Sequence, residues 1–341
     1  MSYDLNATAR ALVAKGKGIL AADESSGTIE KRFKSINIAS TEENRRDYRE
    51  MLFTTKGASE FISGVILYDE TLRQKAKNGT RLSEILTHDG IIPGIKVDNG
   101  AKDLAGFPGE KITEGLDGLR ERLVEYRDLG ARFTKWRAVI TIGDGIPSRF
   151  CIDANAHALA RFAALTQEVG LVPIVEPEVL MDGGHTIERC AEVTETALKS
   201  LYMAMFEHKV ELEGSLLKPN MVLSGKSCPR QASIQEVAQA TVRILRRAVP
   251  AEVPGIVFLS GGQTDEAATA HLSAMNALGH HPWELSFSYG RALQAPALKA
   301  WGGKAANVTP GQKAYYHRAK CNGAARFGKY RPEMEKELAL A

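Results

Sequence analysis

Eight short apolar runs alternate with longer amphipathic stretches along this chain of 341 residues, and the alternation predicts an α/β fold, a single closed (β/α)8 barrel. No Gly- or Ser-rich linker divides the sequence, so we expect one domain. An open doubly wound sheet usually carries a Gly-rich phosphate turn after its first strand. Here the first run leads into Asp23-Glu24-Ser25-Ser26 instead. The prediction is a TIM-barrel core over about residues 16–310 with a short C-terminal tail over about 311–341.

The predicted strands are short and rich in aliphatic residues, as expected for parallel strands that are buried on both faces. They cover residues 18–23, 64–69, 91–98, 132–142, 171–179, 215–222, 255–262 and 285–290.

The predicted helices are the longer amphipathic stretches, and the one at 233–249 shows apolar residues at i, i+3 and i+4 spacing. They cover residues 41–55, 115–129, 155–169, 186–210, 233–249 and 265–278. Thr41 and Ser233 occupy N-cap positions, and Glu236 completes a capping box with Ser233. The second connection, through residues 71–77 and 83–86, is only weakly helical.

Composition narrows the functional class. The chain has 44 basic and 41 acidic residues, and a net charge of +3 gives no support for a nucleic-acid-binding surface. Its four cysteines are far apart and predict reduced thiols: Cys151, Cys190, Cys228 and Cys321. We find no signal peptide at residues 1–6 and no apolar run of membrane-spanning length. We therefore expect a cytoplasmic protein without membrane or nucleic-acid partners.

Charged residues occur in strands that should be almost entirely apolar. They are Asp23, Lys96, Lys135, Arg137, Glu176, Glu178 and Lys218. Most fall toward the carboxyl ends of their strands, where such barrels build active sites. Residues two apart on a strand share a face, so Lys135 and Arg137 point the same way, as do Glu176 and Glu178. Closing the barrel should gather these charges into one polar mouth, where opposite signs make burial tolerable.

Lys218 lies in the apolar run Gly214-Ser215-Leu216-Leu217-Lys218-Pro219-Asn220-Met221-Val222. It can be an ordinary strand-end lysine whose ammonium group reaches water. Alternatively, desolvation of a buried lysine favours the neutral amine, which forms a Schiff base with a carbonyl substrate. The other charged residues of the predicted strands favour a reactive lysine over a solvated one. Glu176 can move protons while a carbinolamine forms and collapses, and Asp23 can accept a hydroxyl proton as a C–C bond breaks.

The last two strands end in Ser260-Gly261-Gly262 and Gly290-Arg291. Barrels often place a phosphate site there, built from backbone N–H groups and a short helix N-terminus. Arg291 would add a bidentate contact.

These features together resemble a known family. The chain is similar to the class I, Schiff-base-forming fructose-1,6-bisphosphate aldolases over about residues 16–330. The matching segments include Gly18-Ile19-Leu20-Ala21-Ala22-Asp23-Glu24-Ser25, Gly94-Ile95-Lys96-Val97-Asp98, Lys135-Trp136-Arg137, Val175-Glu176-Pro177-Glu178, Leu217-Lys218-Pro219-Asn220-Met221, Leu259-Ser260-Gly261-Gly262-Gln263 and Ser288-Tyr289-Gly290-Arg291.

The resemblance implies a role for each matching residue. Lys218 would be the Schiff-base lysine, Glu176 the general acid/base with Glu178 and Lys135 in support, and Asp23 the group that exchanges the C4-hydroxyl proton. The phosphate of the ketone half would contact Ser260, Gly261, Gly290 and Arg291. The second phosphate would lie near Ser25, Thr28, Lys31, Arg32, Lys96 and Arg137.

The resemblance also implies reversible cleavage of fructose 1,6-bisphosphate into dihydroxyacetone phosphate and glyceraldehyde 3-phosphate, with no metal or other cofactor, in a homotetramer. Animal members carry a longer tail whose terminal tyrosine exchanges a proton on the ketone half. Here the nearest tyrosine to the end is Tyr330, so the group serving that step is open. Termini are often poorly ordered, and residues 311–341 are expected to be the least ordered part.

Three other functions remain as alternatives. A metal-dependent aldolase would need clustered histidines, whereas the eight here fall mostly in predicted helices or loops: His88, His157, His185, His208, His271, His280, His281 and His317. A transaldolase or deoxyribose-phosphate aldolase would not need two phosphate sites. A catalytically silent barrel could act as a binding scaffold. Fructose 1-phosphate and sedoheptulose 1,7-bisphosphate also remain open as substrates beside fructose 1,6-bisphosphate.

Overall fold

The computed structural model of the chain describes the backbone of residues 4–340 and the side chains of residues 4–336. The prediction that no signal peptide is present falls partly on residues 1–3, and the prediction of a poorly ordered chain end falls partly on residues 337–341. Residues 1–3 and 341, and the side chains of 337–340, lie outside the described part of the chain.

Eight parallel strands close into a barrel in the order β1-β10-β9-β8-β7-β6-β3-β2, which confirms the predicted (β/α)8 fold. The strands are β1 Gly18–Ala22, β2 Ile62–Leu67, β3 Ile92–Lys96, β4 Ala101–Asp103, β5 Lys111–Thr113, β6 Phe133–Ile140, β7 Val172–Val179, β8 Leu216–Leu217, β9 Gly255–Phe258 and β10 Glu284–Tyr289. β4 and β5 form a separate antiparallel pair in the loop after β3.

Helices surround the barrel. They are α1 Leu5–Leu12, α2 Ser26–Lys34, α3 Glu42–Phe53, α4 Asp69–Arg73, α5 Leu82–His88, α6 Leu119–Asp128, α7 Arg149–Glu168, α8 Ile187–Glu207, α9 Ile234–Ala248, α10 Asp265–Asn276, α11 Arg291–Trp301 and α12 Val308–Ala325. α7 begins well before the predicted residue 155, because the Ser148 hydroxyl accepts the N–H of Cys151 and caps the helix. α6 begins later than predicted, because Gly115 and Gly118 take left-handed backbone angles.

Side chains fill the amino-terminal end of the barrel, and α1 closes this end. Leu12 and Val13 pack there with Phe133, Ile174 and other buried residues of the strands. Phe133 fits because its neighbour on β3 is Gly94: a Cβ at Gly94 would lie 2.3 Å from the Phe133 ring. The charged side chains predicted on the strands lie at the opposite, carboxyl end of the barrel.

The sixth barrel strand is shorter than predicted. β8 contains only Leu216 and Leu217, and the backbone N–H of Lys218 makes one further bond, 2.8 Å, to the carbonyl of Val175. Pro219 follows and has no N–H to continue the ladder. Lys218 therefore lies at the carboxyl end of the strand, as expected for the charged residues of most strands.

The expectation that residues 311–341 are the least ordered is wrong up to the end of α12. This helix buries Tyr315 and Ala319 against the rest of the domain. Just beyond it, the buried Arg326 guanidinium donates to the carbonyls of Leu285 (2.6 Å) and Val13 (2.7 Å). The helix and Arg326 thus belong to the packed domain.

Candidate active site

A cavity of about 660 Å³ opens at the carboxyl ends of the barrel strands. All fifteen residues that the sequence suggested for the site line it: Asp23, Ser25, Thr28, Lys31, Arg32, Lys96, Lys135, Arg137, Glu176, Glu178, Lys218, Ser260, Gly261, Gly290 and Arg291. The walls also include Glu24, Asp98 and Ser288, to which the sequence analysis gave no role.

A chain of ion pairs crosses the cavity floor. Lys218 Nζ lies 3.2 Å from Glu176 Oε1, and Lys135 Nζ lies 3.1 Å from Glu176 Oε2. Lys135 Nζ is also 2.7 Å from Asp23 Oδ2. Lys135, Glu176 and Lys218 are each only 3% exposed, so these charges interact with little screening by water. Three strands, β6, β7 and β8, and the end of β1 bring them together.

Burial and the neighbouring charges shift the pKa values of these groups in opposite directions. Burial alone would raise the pKa of Asp23 and Glu176, but the ammonium groups of Lys135 and Lys218 outweigh it and lower both. For Lys135, burial would lower the pKa, but the Asp23 and Glu176 carboxylates raise it well above its usual value. At neutral pH the floor therefore holds two carboxylates around a permanently protonated Lys135.

Two further acids orient the cations of the cavity wall. Glu178 Oε2 accepts from Arg137 Nε at 2.5 Å. Asp98 Oδ1 lies 3.0 Å from Lys96 Nζ, and its carboxylate also accepts the backbone N–H groups of Gly100 and Arg137. Asp98 ends the third predicted strand, two residues after Lys96. An acid at that position could have been predicted from the sequence to pair with Lys96.

One wall of the cavity is formed by the start of α2. Ser25 occupies the N-cap position, and its hydroxyl lies 3.1 Å from the Thr28 hydroxyl. Arg32, one turn further, pairs with the buried Glu24 at 2.5 Å. A helix N-terminus with hydroxyl and cationic side chains is suited to bind a phosphate group.

The adjoining wall is formed by the ends of β9 and β10, because β1, which leads into α2, pairs with β10. Gly261 has a left-handed φ of 60°, and turns of this kind can present successive backbone N–H groups to an anion. Burial and the nearby Arg32 cation lower the pKa of Arg291. Ser288 is 1% exposed, and its hydroxyl has no hydrogen-bond partner among the described residues. An anion bound here would relieve the repulsion between the two guanidinium groups.

Several residues lie apart from this cavity. The hydroxyl of Tyr330 donates to Glu335 at 2.8 Å and does not line the cavity. Within the described part of the chain, one group of potential metal ligands was found, in which atoms of His317, Cys321 and Glu335 lie within 4.8 Å of one another. The four cysteines are buried, and none of them forms a disulfide. None of the described helices is long and apolar enough to cross a membrane.

Comparison with known proteins agrees with this geometry. The profile of the family described as fructose-bisphosphate aldolase class-I matches residues 4–340. The chain belongs to the class I fructose-bisphosphate aldolases. Members of this family are lyases of glycolysis, and the family resemblance seen in the sequence is thereby confirmed.

Individual aldolases match over nearly the whole chain. A probable class 1 fructose-bisphosphate aldolase of Xanthomonas axonopodis pv. citri is 62% identical over 325 residues, covering 95% of this chain and 97% of the relative. Cytosolic fructose-bisphosphate aldolase 4 of Arabidopsis thaliana is 54% identical, covering 98% and 85%. The crystal structure of the Plasmodium falciparum aldolase, in complex with TRAP and an inhibitor, superposes with a TM-score of 0.95 at 52% identity, covering 96% and 95%.

Proposed function

We propose that this chain catalyses the reversible cleavage of fructose 1,6-bisphosphate into dihydroxyacetone phosphate and glyceraldehyde 3-phosphate through an imine on Lys218. One observation carries the proposal: the Glu176 carboxylate lies between two buried ammonium groups, 3.2 Å from Lys218 and 3.1 Å from Lys135, on the cavity floor. A carboxylate in this position can take a proton from Lys218 while Lys135 keeps its own.

Imine formation begins when Glu176 accepts a proton from the Lys218 ammonium group. The free amine then attacks the ketone carbon of the substrate, and the carbonyl oxygen becomes the hydroxyl of a carbinolamine. Glu176 returns a proton to that hydroxyl, which leaves as water, and a positively charged imine remains. Since Lys135 stays protonated, its fixed charge helps to hold the carboxylate in place throughout.

Cleavage uses the imine as an electron sink. Asp23 accepts the proton of the C4 hydroxyl, the C3–C4 bond breaks, and its electron pair neutralises the iminium to give an enamine. The aldehyde half then departs as glyceraldehyde 3-phosphate. The enamine takes up a proton at C3, and water hydrolyses the imine to release dihydroxyacetone phosphate. The position of Asp23 next to Lys135, with Nζ to Oδ2 of 2.7 Å, keeps the carboxylate ready to act as acceptor.

The two cationic walls are suited to the two phosphate groups. We assign the ketone-half phosphate to Ser260, Gly261, Gly290 and Arg291, and the second phosphate to the wall of Ser25, Thr28, Lys31, Arg32, Lys96 and Arg137. The family resemblance suggests these assignments, and the cationic and hydroxyl side chains at the α2 N-terminus and at the β9–β10 ends of one cavity support them.

Borohydride trapping with dihydroxyacetone phosphate, followed by peptide mapping, tests the imine. The label is expected on Lys218 alone, and Lys218→Met should abolish both labelling and cleavage. Lys199→Met is a matched control, because Lys199 is an exposed lysine paired with Glu195 on α8. A label on another lysine, or undiminished cleavage by Lys218→Met, would refute the mechanism. Inhibition by EDTA would instead support a metal-dependent route.

Asp23→Ala separates the two chemical stages. We expect this variant to form the imine, because Glu176 and Lys218 remain, and to lose C–C cleavage, because the C4-hydroxyl proton has no acceptor. Single-turnover trapping and cleavage rates measure the two stages. Equal loss of both would show that Asp23 has a different role.

Three further properties are proposed on family grounds. The cleavage rates of fructose 1,6-bisphosphate, fructose 1-phosphate and sedoheptulose 1,7-bisphosphate, compared side by side, would fix substrate preference. Light scattering is expected to give a particle of four subunits of 37.1 kDa each. We place the protein in the cytoplasm, as the name of the Arabidopsis relative suggests for that protein. Fractionation of the source cells would test this.

A further inference from the structure

The loop that follows β8 carries Lys226 toward the β9–β10 wall of the cavity. Three backbone hydrogen bonds fix this loop to the loop after β7. They join Lys226 N to Met181 O at 2.8 Å, Gly225 N to His185 O at 2.8 Å, and Ser227 N to Gly183 O at 2.9 Å. The Lys226 backbone is therefore held in place by hydrogen bonds to the loop after β7.

Close contact between the two loops makes this arrangement specific. A Cβ at Gly225 would lie 2.4 Å from the carbonyl oxygen of Gly183, a distance that no side chain tolerates without movement of the backbone. Glycine at position 225 thus allows the two backbones to approach closely enough for the three hydrogen bonds to form.

The Lys226 side chain lies beside Gly262, next to the Ser260–Gly261 turn. A methyl group on Gly262 would lie 3.3 Å from Lys226 Nζ and 3.2 Å from Arg291 Nη2. Both distances are measured from the same Cβ position, so the two cationic nitrogens lie beside the same glycine. The present partner of Lys226 is Asp182, with Nζ to Oδ1 of 2.9 Å. Both side chains are about half exposed or more, so this ion pair is readily exchanged.

Two cations beside one glycine turn make a stronger anion site than Arg291 alone. We propose that Lys226 is a further binding residue for the phosphate on the ketone half of the substrate, leaving Asp182 for that phosphate when substrate binds. The inference rests on the proposed function and adds to it a residue that contacts neither the reacting carbons nor Lys218. It makes the loop after β8 a determinant of preference for a phosphorylated ketone.

Steady-state kinetics of Lys226→Ala test this assignment. We expect KM for both fructose 1,6-bisphosphate and fructose 1-phosphate to rise roughly three- to tenfold, the range for one solvent-accessible charge contact, while kcat changes less than twofold. Lys226→Arg should recover most of the affinity. The matched control is Lys199→Ala, an exposed lysine on α8 with its own carboxylate partner, which should leave KM unchanged.

A comparison of ligands distinguishes phosphate binding from a structural role of the loop. Lys226→Ala should weaken binding of dihydroxyacetone phosphate and of inorganic phosphate, and should leave unphosphorylated dihydroxyacetone unaffected. Equal weakening of dihydroxyacetone, or an unchanged KM for both sugar phosphates, would overturn the inference.

The two proposals fail in different ways. If the unmodified protein neither cleaves fructose 1,6-bisphosphate nor forms the trapped imine, the proposed function is wrong. If it does both and Lys226→Ala behaves like Lys199→Ala, only the role of Lys226 is wrong.

Discussion

Replacing Lys135 with methionine removes the cation that lies between the buried Glu176 carboxylate and the largely buried Asp23 carboxylate. Its Nζ is 2.7 Å from Asp23 and 3.1 Å from Glu176, and the residue is 3% exposed. Loss of one partner from a buried ion pair costs about 3–5 kcal/mol, because the remaining charge stays buried. Lys218 still lies 3.2 Å from Glu176, so mainly Asp23 is left without a near cation. We therefore expect the free energy of unfolding to fall by about 3–5 kcal/mol at pH 7.

The loss should depend on pH with a definite sign. In the unmodified protein burial raises, and the neighbouring ammonium groups lower, the pKa of Asp23 and Glu176, with a net lowering. Their contribution to stability is thus complete above their ordinary pKa and is lost only as pH falls below it. Removing Lys135 takes away the strongest charge that lowers the pKa of Asp23, so we expect this pKa to rise and protonation to relieve the unpaired charge at a higher pH. The difference in stability between Lys135→Met and the unmodified protein should shrink as pH falls from 7 toward about 4.

Denaturant unfolding at several pH values measures this difference, at one subunit concentration throughout. Lys199→Met is the matched control, because its exposed pair with Glu195 should contribute less than about 1 kcal/mol. A loss for Lys135→Met that matches the control, or that grows as pH falls, would refute the argument that Lys135 neutralises buried carboxylates.

Three further predictions concern stability and follow from single contacts. Gly94→Ala should destabilise by at least about 1–3 kcal/mol, because its Cβ would lie 2.3 Å from the Phe133 ring; equal denaturation midpoints would contradict this. Burial lowers the pKa of His271 to about 4, so stability should fall by up to about 3 kcal/mol as pH falls from 6.5 to 4. This slope should flatten in His271→Gln, and an unchanged slope would exclude His271 as its source. Arg326→Met should lower the thermal midpoint, since several buried backbone carbonyls lose a charged donor; an unchanged midpoint would argue against this clamp.

The barrel and its polar mouth were predictable because they depend on local sequence pattern. Parallel strands in a barrel are normally apolar, so each charged residue in one is a strong exception. Strand pleat then assigns Lys135 and Arg137 to one face, as the structure confirms by placing both at the cavity. The placement of the fifteen site residues followed from this reasoning together with the family resemblance.

Element ends were less predictable, because they depend on single hydrogen bonds. Periodicity could not show that Ser148 caps α7 or that the regular strand β8 covers only Leu216 and Leu217. The error at α12 has another cause. The apolar and polar residues of this helix are poorly separated around its circumference, and much of its burial comes from polar residues such as Arg318 and Asn322. Only the three-dimensional packing shows where those polar groups find partners.

Residues that act through loop–loop contacts were also missed. Lys226 lies outside the predicted strands, in a polar stretch where a lysine is usually solvated. Its place beside Arg291 depends on the contact between Gly225 and Gly183, which are 42 positions apart in the chain. No periodic pattern encodes such a contact, so the second cation of the phosphate wall becomes visible only in the folded protein.

The arrangement of the floor explains how one barrel can bury a nucleophilic lysine and still fold. Lys135 contacts two carboxylates and Lys218 contacts one, the Glu176 that both share. Proton transfer from Lys218 to Glu176 therefore leaves the Lys135–Asp23 pair intact, and no unpaired charge is created in the interior. If the two lysines exchanged roles, deprotonation of Lys135 would remove the cation that pairs with Asp23 at 2.7 Å, at the cost estimated above for Lys135→Met. The number of carboxylate partners thus decides which lysine is the fixed charge and which is free to react.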